Sequence, residues 1–407
     1  MTQKVWYISK YASPPQFARV GNRGFFIMRE LATIGFKTTL ITSDSNHLAN
    51  PPDFKTKYYE KVMANVTVRW MKTRKYHAAN SLARFLSWLS FDYRLMRNQP
   101  REVPDFVIIS SLSLTTILVG IYLKWKFKCR LIFEIRDIWP LVLQHVKNYH
   151  RYNPLIISLG AIEKLGYRYS DLIIGTMPML ELHVGDTVSN FQRVVCIPQG
   201  YDPDLVSDFA NLQLDNLSSY FSAGQFTICY AGSMGEDNEL ATLLETAELL
   251  SDFKDIKFVL CGDGSEKQIL QNKYANFSNI HFTGMLTKPQ IHSVFQKSDI
   301  LYFGTYKNII QKFGQSLNKV IDYMMAGKVI IGSYSGYPSM INEAGCGEFV
   351  EAENPDLLRE SILKYYYLSE NDRTIIGNRG KTWLAENRNY SVLAKLYADE
   401  LHSLKNI

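Results

Sequence analysis

Residues 313–328 read FGQSLNKVIDYMMAGK. A loop breaks into an otherwise apolar helix here, Ser316 is the expected N-cap, and the helix stops at the AGK run. Asn318 and Lys319 fall in the first turn. Asp322 follows one turn after Asn318, so both face the same side. A cation at a helix N-terminus opposes the helix dipole, which makes chemical sense if an anion joins it there. The pattern suits a nucleoside diphosphate, with first-turn N–H groups and Lys319 on phosphate and Asp322 on vicinal hydroxyls. A solvated first turn is the simpler alternative.

Other residues could share that chemistry. YAGSMGEDNELATLL places Gly232, Ser233 and Gly235 between a strand and a helix, and LCGDGSEKQIL does the same with Gly262 and Gly264. Each set on its own reads equally as tight turns. Together they put backbone N–H groups and helix N-termini on one rim, although the spacing is neither a dinucleotide fingerprint nor a P-loop. EIRDIWP ends another strand: Arg136 suits a phosphate, and Asp137 suits orienting an acceptor or a donor sugar, against the plainer reading of an N-cap beside a surface arginine. Gly21 and Gly24, flanked by Arg19 and Arg23, would let a loop approach phosphates. Glu163 reads as a helix-face charge in an ion pair. His145, His150 and His183 lack partners at recognisable spacing.

These residues need a scaffold. The chain has 407 residues, 46% hydrophobic and 21% charged, enough for two globular domains. Its five cysteines are scattered singly, which supports neither a disulfide framework nor a cysteine zinc site, and a reducing cytoplasm fits. No signal peptide is expected from the first residues. The longest apolar run, near LSLTTILVGIYLKWKFK, falls short of the roughly 20 residues that span a bilayer.

Residues 1–200 hold 27 Lys and Arg against 13 Asp and Glu, and residues 201–407 hold 18 against 26. A basic first half and an acidic second half imply domains with different partners. RKYHAANSLARFLSWLSFDYRLMRNQP interleaves cations with aromatics, as a packed helix or a membrane-interface helix would. An anionic lipid surface is thus an expected neighbour. Nucleic acid is not, since no recognised binding motif accompanies the charge.

Strand and helix signals alternate in both halves. KVWYIS, KTTLITS, VTVRW, DFVIISS, RLIFEIRD, DLIIGT and RVVCIP read as strands in the first, and FTICYAG, IKFVLCG, IHFTG, DILYFG and KVIIGS in the second. Such alternation means parallel sheets, hence an α/β fold with ligands beyond the carboxyl ends of the strands. The boundary is expected in the polar stretch 196–226.

In order and spacing, YASPPQFARVGNRGFFIMRELATIGFKTTLITS, CIPQGYDPD, YAGS, LCGDGSEKQIL, IHFTGML and SDILYF resemble the retaining glycosyltransferases of family 4. FEIRDIWPLVL and SLNKVIDYMMAGK resemble a bacterial surface-polysaccharide branch with fucosamine and other aminosugar transferases. The resemblance implies a GT-B fold: two doubly wound Rossmann-like domains facing a cleft, with residues 1–200 on the acceptor side, 201–385 binding the nucleotide sugar, and a C-terminal helix, 386–407, packing back on the first domain. It implies catalytic roles for Asp137, Arg136 and Lys319. Donor binding would fall to Gly21, Gly24, Gly232, Ser233, Gly262, Gly264, Ser316, Asn318, Lys319 and Asp322. No metal or other cofactor is expected. The implied partners are a nucleotide sugar, with UDP favoured, and a lipid-linked glycan on the cytoplasmic face of the membrane.

Three positions depart from the family pattern. The first of its two acids falls on Gly314, its diphosphate-gripping arginine on Ser233 and its lysine on Asn238. Lys319 is the expected replacement cation. A non-catalytic nucleotide-sugar-binding protein and a nucleotide-sugar epimerase are the rival readings.

Overall fold

The structure, a computed structural model, describes residues 2–18, 22–47, 49–76, 82–145, 148–204, 220–222, 224–235 and 238–405, except for the side chain of Leu82. Arg19, Gly21 and residues 205–219 of the expected boundary lie outside them. Two compact units result, Met1–Gly200 with Tyr390–Ile407, and Tyr201–Asn389.

The first unit carries β1 (Lys4–Ile8), β2 (Lys37–Ser43), β3 (Tyr58–Met63), β4 (Val66–Met71), β5 (Phe106–Ser110), β6 (Arg130–Ile135), β7 (Leu172–Gly175) and β8 (Val194–Cys196). They form one sheet in the order β3-β4-β2-β1-β5-β6-β7-β8. Central strands such as β5, FVIIS, are buried along their whole length, because helices on both faces of a parallel sheet leave no wet side. β3, YYEKVM, is an exposed antiparallel edge. It lacks the apolar run of a buried strand, and the sequence gives no strand signal there.

Among the helices of this unit are α1 (Arg23–Ile34), α2 (Leu82–Arg97), α3 (Thr116–Phe127), α4 (Leu141–His145), α5 (Pro154–Tyr169) and α6 (Leu180–Thr187). Gly24 does not lie in a loop near a ligand. It is buried in the first turn of α1, where a Cβ would come within 2.4 Å of the Tyr7 ring. Arg23 is likewise interior, and both side chains of its ion pair with Glu134 are inaccessible to solvent. Tyr7 donates to Glu134 Oε1 at 2.5 Å, and Tyr397 donates to Oε2. Arg23 Nη2 also donates to the Ile197 carbonyl at 2.7 Å. Burial alone would raise the Glu134 pKa; Arg23 and the two phenols outweigh it and hold the carboxyl below its usual range. Glu163 does take part in an ion pair, as expected, but in the interior and with His183, a partner the sequence spacing does not reveal. Glu163 is buried and accepts hydrogen bonds from Tyr167 at 3.0 Å and pairs with His183 Nε2 at 2.8 Å.

The second unit runs β9 (Phe226–Ala231), α7 (Ala241–Leu249), β10 (Ile256–Cys261), α8 (Lys267–Lys273), β11 (Ile280–Gly284), α9 (Lys288–Lys297), β12 (Ile300–Gly304), α10 (Asn318–Ala326), β13 (Val329–Ser333), α11 (Ile341–Ala344), β14 (Gly347–Val350), α12 (Pro355–Tyr366) and α13 (Glu370–Asn387). Its sheet order is β11-β10-β9-β12-β13-β14, all parallel. This is the doubly wound arrangement whose order reverses between β9 and β12, where such sheets bind ligands. The chain then returns to the first unit as α14 (Tyr390–Lys405).

Candidate nucleotide-sugar site

Beyond the carboxyl ends of β9 and β10 two loops interlock. The Gly232 and Met234 amides donate to the carbonyls of Cys261 and Asp263, and the Glu266 amide returns to Met234. A Cβ at Gly262 would lie 1.8 Å from the Gly232 carbonyl, and one at Gly264 would lie 2.3 Å from that of Met234. Gly262 also has φ +145, which disfavours other residues. These glycines are thus required by the close approach of two backbones, and the amides of Gly232, Met234 and Gly262 are engaged within the protein. They build the floor of the site.

Lys319 reaches over that floor. Its ammonium donates to Asn238 Oδ1 at 2.5 Å and stands 5.0 Å from the centre of the Tyr230 ring. A Cβ on Gly232 would be 3.3 Å from Nζ. The Tyr230 hydroxyl donates to the Ser233 carbonyl at 2.6 Å, which fixes the ring. Burial pushes the Lys319 ammonium down to about 8. Among the described residues no carboxylate pairs with it. Asn238, where the family pattern has lysine, thus holds the cation supplied by α10. Tyr230 was missed in the sequence, because a buried aromatic in a strand looks like core, and Asn238 showed there only as a departure from the family pattern.

Helix α10 begins one residue later than expected. Its N-cap is Leu317, not Ser316, and no side chain caps it. Asn318 is exposed at the first helical position. Asp322 is exposed at its tip yet crowded enough for burial to raise its carboxyl to about 6, with Lys288 at the head of α9 opposing the rise. Lys319 and Asp322 therefore serve two stations, one at Asn238 and one toward Lys288. Gly314 closes the 3₁₀ turn Ile309–Phe313 with φ 84. An acid there would be strained as well as missing.

Arg136 and Asp137 follow β6 in the first unit. The Arg136 amide is held by Ser111 Oγ at 3.0 Å, and Asp137 is exposed. Burial raises the Asp137 carboxyl while Arg136 lowers it. Beyond β1 of the same unit, Lys10 is 1% exposed and donates to the Ser45 carbonyl at 2.5 Å. Burial pushes its ammonium down to about 7 against the pull of Asp44. Arg84 and Trp88 both donate to the Tyr11 hydroxyl nearby, at 3.0 and 2.7 Å. A single lysine after a strand carries no sequence signal of such a cluster.

Residues 225–367, most of the second unit, match the family model described as glycosyl transferases group 1. The second unit carries a group 1 glycosyltransferase domain. No curated protein matches its sequence. Sucrose-phosphate synthase from Thermosynechococcus elongatus superposes with a TM-score of 0.74 at 15% identity over 99% of each chain. The UDP-forming α,α-trehalose-phosphate synthase from Burkholderia vietnamiensis gives 0.70 at 12%, over 99% of this chain and 100% of that one. Anabaena HepE in complex with UDP-glucose gives 0.65 at 12%, over 98% and 99%. At such identities the likeness is one of fold, and the fold of this chain is GT-B.

Proposed function

We propose that the enzyme transfers a sugar from a uridine diphosphate sugar to a hydroxyl with retention of anomeric configuration. The proposed acceptor is a glycan on a polyprenyl diphosphate at the cytoplasmic membrane face, in the synthesis of a surface polysaccharide. The observation that carries the reading is Lys319: a desolvated ammonium at a helix N-terminus, held by a neutral amide and an aromatic face. Such a group is charged at a cost that an arriving diphosphate would remove.

In the proposed step the bond from the anomeric carbon to the β-phosphate oxygen breaks and its electron pair leaves with the diphosphate. Lys319 and the first-turn amides of α10 offset the charge that develops. The acceptor oxygen bonds the same face of the sugar, and its proton passes to the departing phosphate oxygen. No protein nucleophile and no metal take part in this scheme. Asp322 holds the ribose hydroxyls, and Arg136 and Asp137 orient acceptor or donor sugar. UDP is favoured because HepE was solved with UDP-glucose and the trehalose-phosphate synthase is UDP-forming. The family 4 resemblance of SLNKVIDYMMAGK favours an aminosugar donor.

The test is incubation with UDP-, GDP- and dTDP-sugars, with and without polyprenyl-diphosphate glycans, followed by NMR of the product's anomeric centre. An inverted product would refute retention. Absence of transfer or hydrolysis with every donor would refute the donor assignment.

A further inference from the structure

We propose that α2, α3 and α5 of the first unit form a face that docks on an anionic bilayer surface. The inference rests on the lipid-carried acceptor proposed above and names the surface that would meet the lipid. These three helices enclose an apolar groove of about 400 Å³, lined by Phe85, Leu89, Tyr93 and Met96 from α2, Leu118 from α3 and Ile162 from α5.

The groove continues as stripes. On α2, Phe85, Leu89, Tyr93 and Met96 recur at helical spacing, and on α3 Leu118, Tyr122 and Trp125 do the same. These are positions that a helix facing only water would make polar. Tyr93 is 53% exposed and Trp125 is 65% exposed. Trp125 meets Tyr169 of α5 edge-on at 5.9 Å, which joins the α3 stripe to the end of α5. Exposed apolar residues this contiguous mark an interaction surface.

The charges on the same helices identify the partner. Their two carboxylates, Asp92 and Glu163, are both buried. Asp92 accepts from the hydroxyls of Thr115 and Thr116 at 2.6 and 2.7 Å. What faces outward is basic: Arg94, Arg97, Lys126, Lys164 and Arg168, while Lys124 is paired with Asp171 at 2.9 Å. Arg97 lies over the Tyr93 ring at 5.6 Å and Lys126 over Tyr122 at the same distance, so cations and aromatics are interleaved. Aromatic rings with a polar tip, aliphatic side chains and an excess of cations over the one neighbouring acid, the largely covered Asp171 that pairs with Lys124, match the headgroup layer of an anionic leaflet. No helix among the described residues is long and apolar enough to cross a membrane, so the contact is a surface one. An acidic protein partner would pair the cations but leave no reason for the aliphatic stripes to be continuous with the groove.

The test is flotation of the full chain with phosphatidylcholine vesicles and with mixed phosphatidylcholine–phosphatidylglycerol vesicles. The protein floats with the mixed vesicles and is released from them by salt. Brominated lipid quenches its fluorescence, and Trp125→Phe removes most of that quenching. An Arg97→Gln/Lys126→Gln variant and a Leu118→Ser/Trp125→Ser variant each lose about tenfold or more in partition. These positions are exposed, and circular dichroism checks that the variants fold. Flotation equal to wild type in both double variants overturns the proposal. So does a wild-type chain that stays off lipid and sediments as a dimer that Leu118→Ser/Trp125→Ser dissolves, which would make the face a contact between copies. UDP affinity measured without lipid reports on the second unit alone, so failure here and failure of the donor assignment are distinguishable.

Discussion

Two cations define the two units by contrast. Arg23 is inaccessible to solvent and fully answered by Glu134, two backbone carbonyls and the phenols that share the carboxylate. Lys319 is partly buried and, among the described residues, has only an amide oxygen and a ring face. Burial works against the charge in both. At Arg23 the neighbouring carboxylate wins and the guanidinium stays charged. At Lys319 nothing among the described residues restores what burial takes, and the ammonium sits near 8. A satisfied buried ion pair is architecture, whereas an unsatisfied cation at a strand's carboxyl end implies that its counter-charge comes from outside.

The contrast can be broken from either side. Arg23→Met strands the Glu134 carboxylate in the core. It should lower unfolding free energy by about 3–5 kcal/mol in a denaturant titration, and a loss below 1 kcal/mol would show that the pair is not the anchor described. Lys319→Ala should leave the denaturation midpoint unchanged or slightly higher, since a desolvated charge has been removed. Its kcat should fall about a hundredfold, with a smaller rise in donor KM. Lys319→Arg recovers only part of that loss, because the fork cannot place its charge where the ammonium does. Normal turnover of Lys319→Ala at saturating substrates would return Lys319 to the surface residues.

Asp322→Ala is expected to weaken UDP binding in calorimetry by about tenfold, the value of one or two hydrogen bonds to a charged acceptor, with melting temperature nearly constant. Unchanged affinity would remove Asp322 from the donor site. The smallest expected effect is one of pH. The Lys319 ammonium is depressed in the free enzyme to about 8, so it is half deprotonated near that pH, and kcat/KM for the donor should decline through it. A bound diphosphate raises the ammonium again, so kcat should hold to higher pH. The folded chain binds fewer protons than the unfolded one between the depressed and the ordinary lysine pKa, so this group's contribution to stability rises with pH across that interval. Coincident declines of kcat and kcat/KM would contradict the uncompensated-cation picture.

How much of this was legible depends on distance along the chain. Apart from the half-buried edge β14, GEFV, the parallel strands were readable because a strand covered on both faces is a continuous apolar run. β3 was not, being an exposed edge with polar composition. Lys319 stood out because a cation at a helix start conflicts with its own dipole, a conflict visible within one turn. The interlock of the glycines after β9 and β10 was not legible, because a contact between two loops some thirty residues apart leaves no one-dimensional trace. The burial of Arg23 was hidden in the same way: its partner Glu134 lies 111 residues downstream. Asn238 was legible only as a missing lysine, until the structure put Lys319 against it.

The route of the chain through the first unit has a consequence for how the protein is made. The phenol of Tyr397, on α14, donates to a carboxylate on β6, and Tyr390 stacks on Phe26 at 5.1 Å. Both come from a segment that leaves the ribosome after the whole second unit. During synthesis the first unit therefore holds a buried acid lacking one of its donors and a helix α1 lacking its cover, while the second unit already has its full sequence. Domains fold as units while the chain emerges. Here the unit begun first is the one finished last, and the nascent chain carries an exposed α1 face that needs shelter until the final helix arrives.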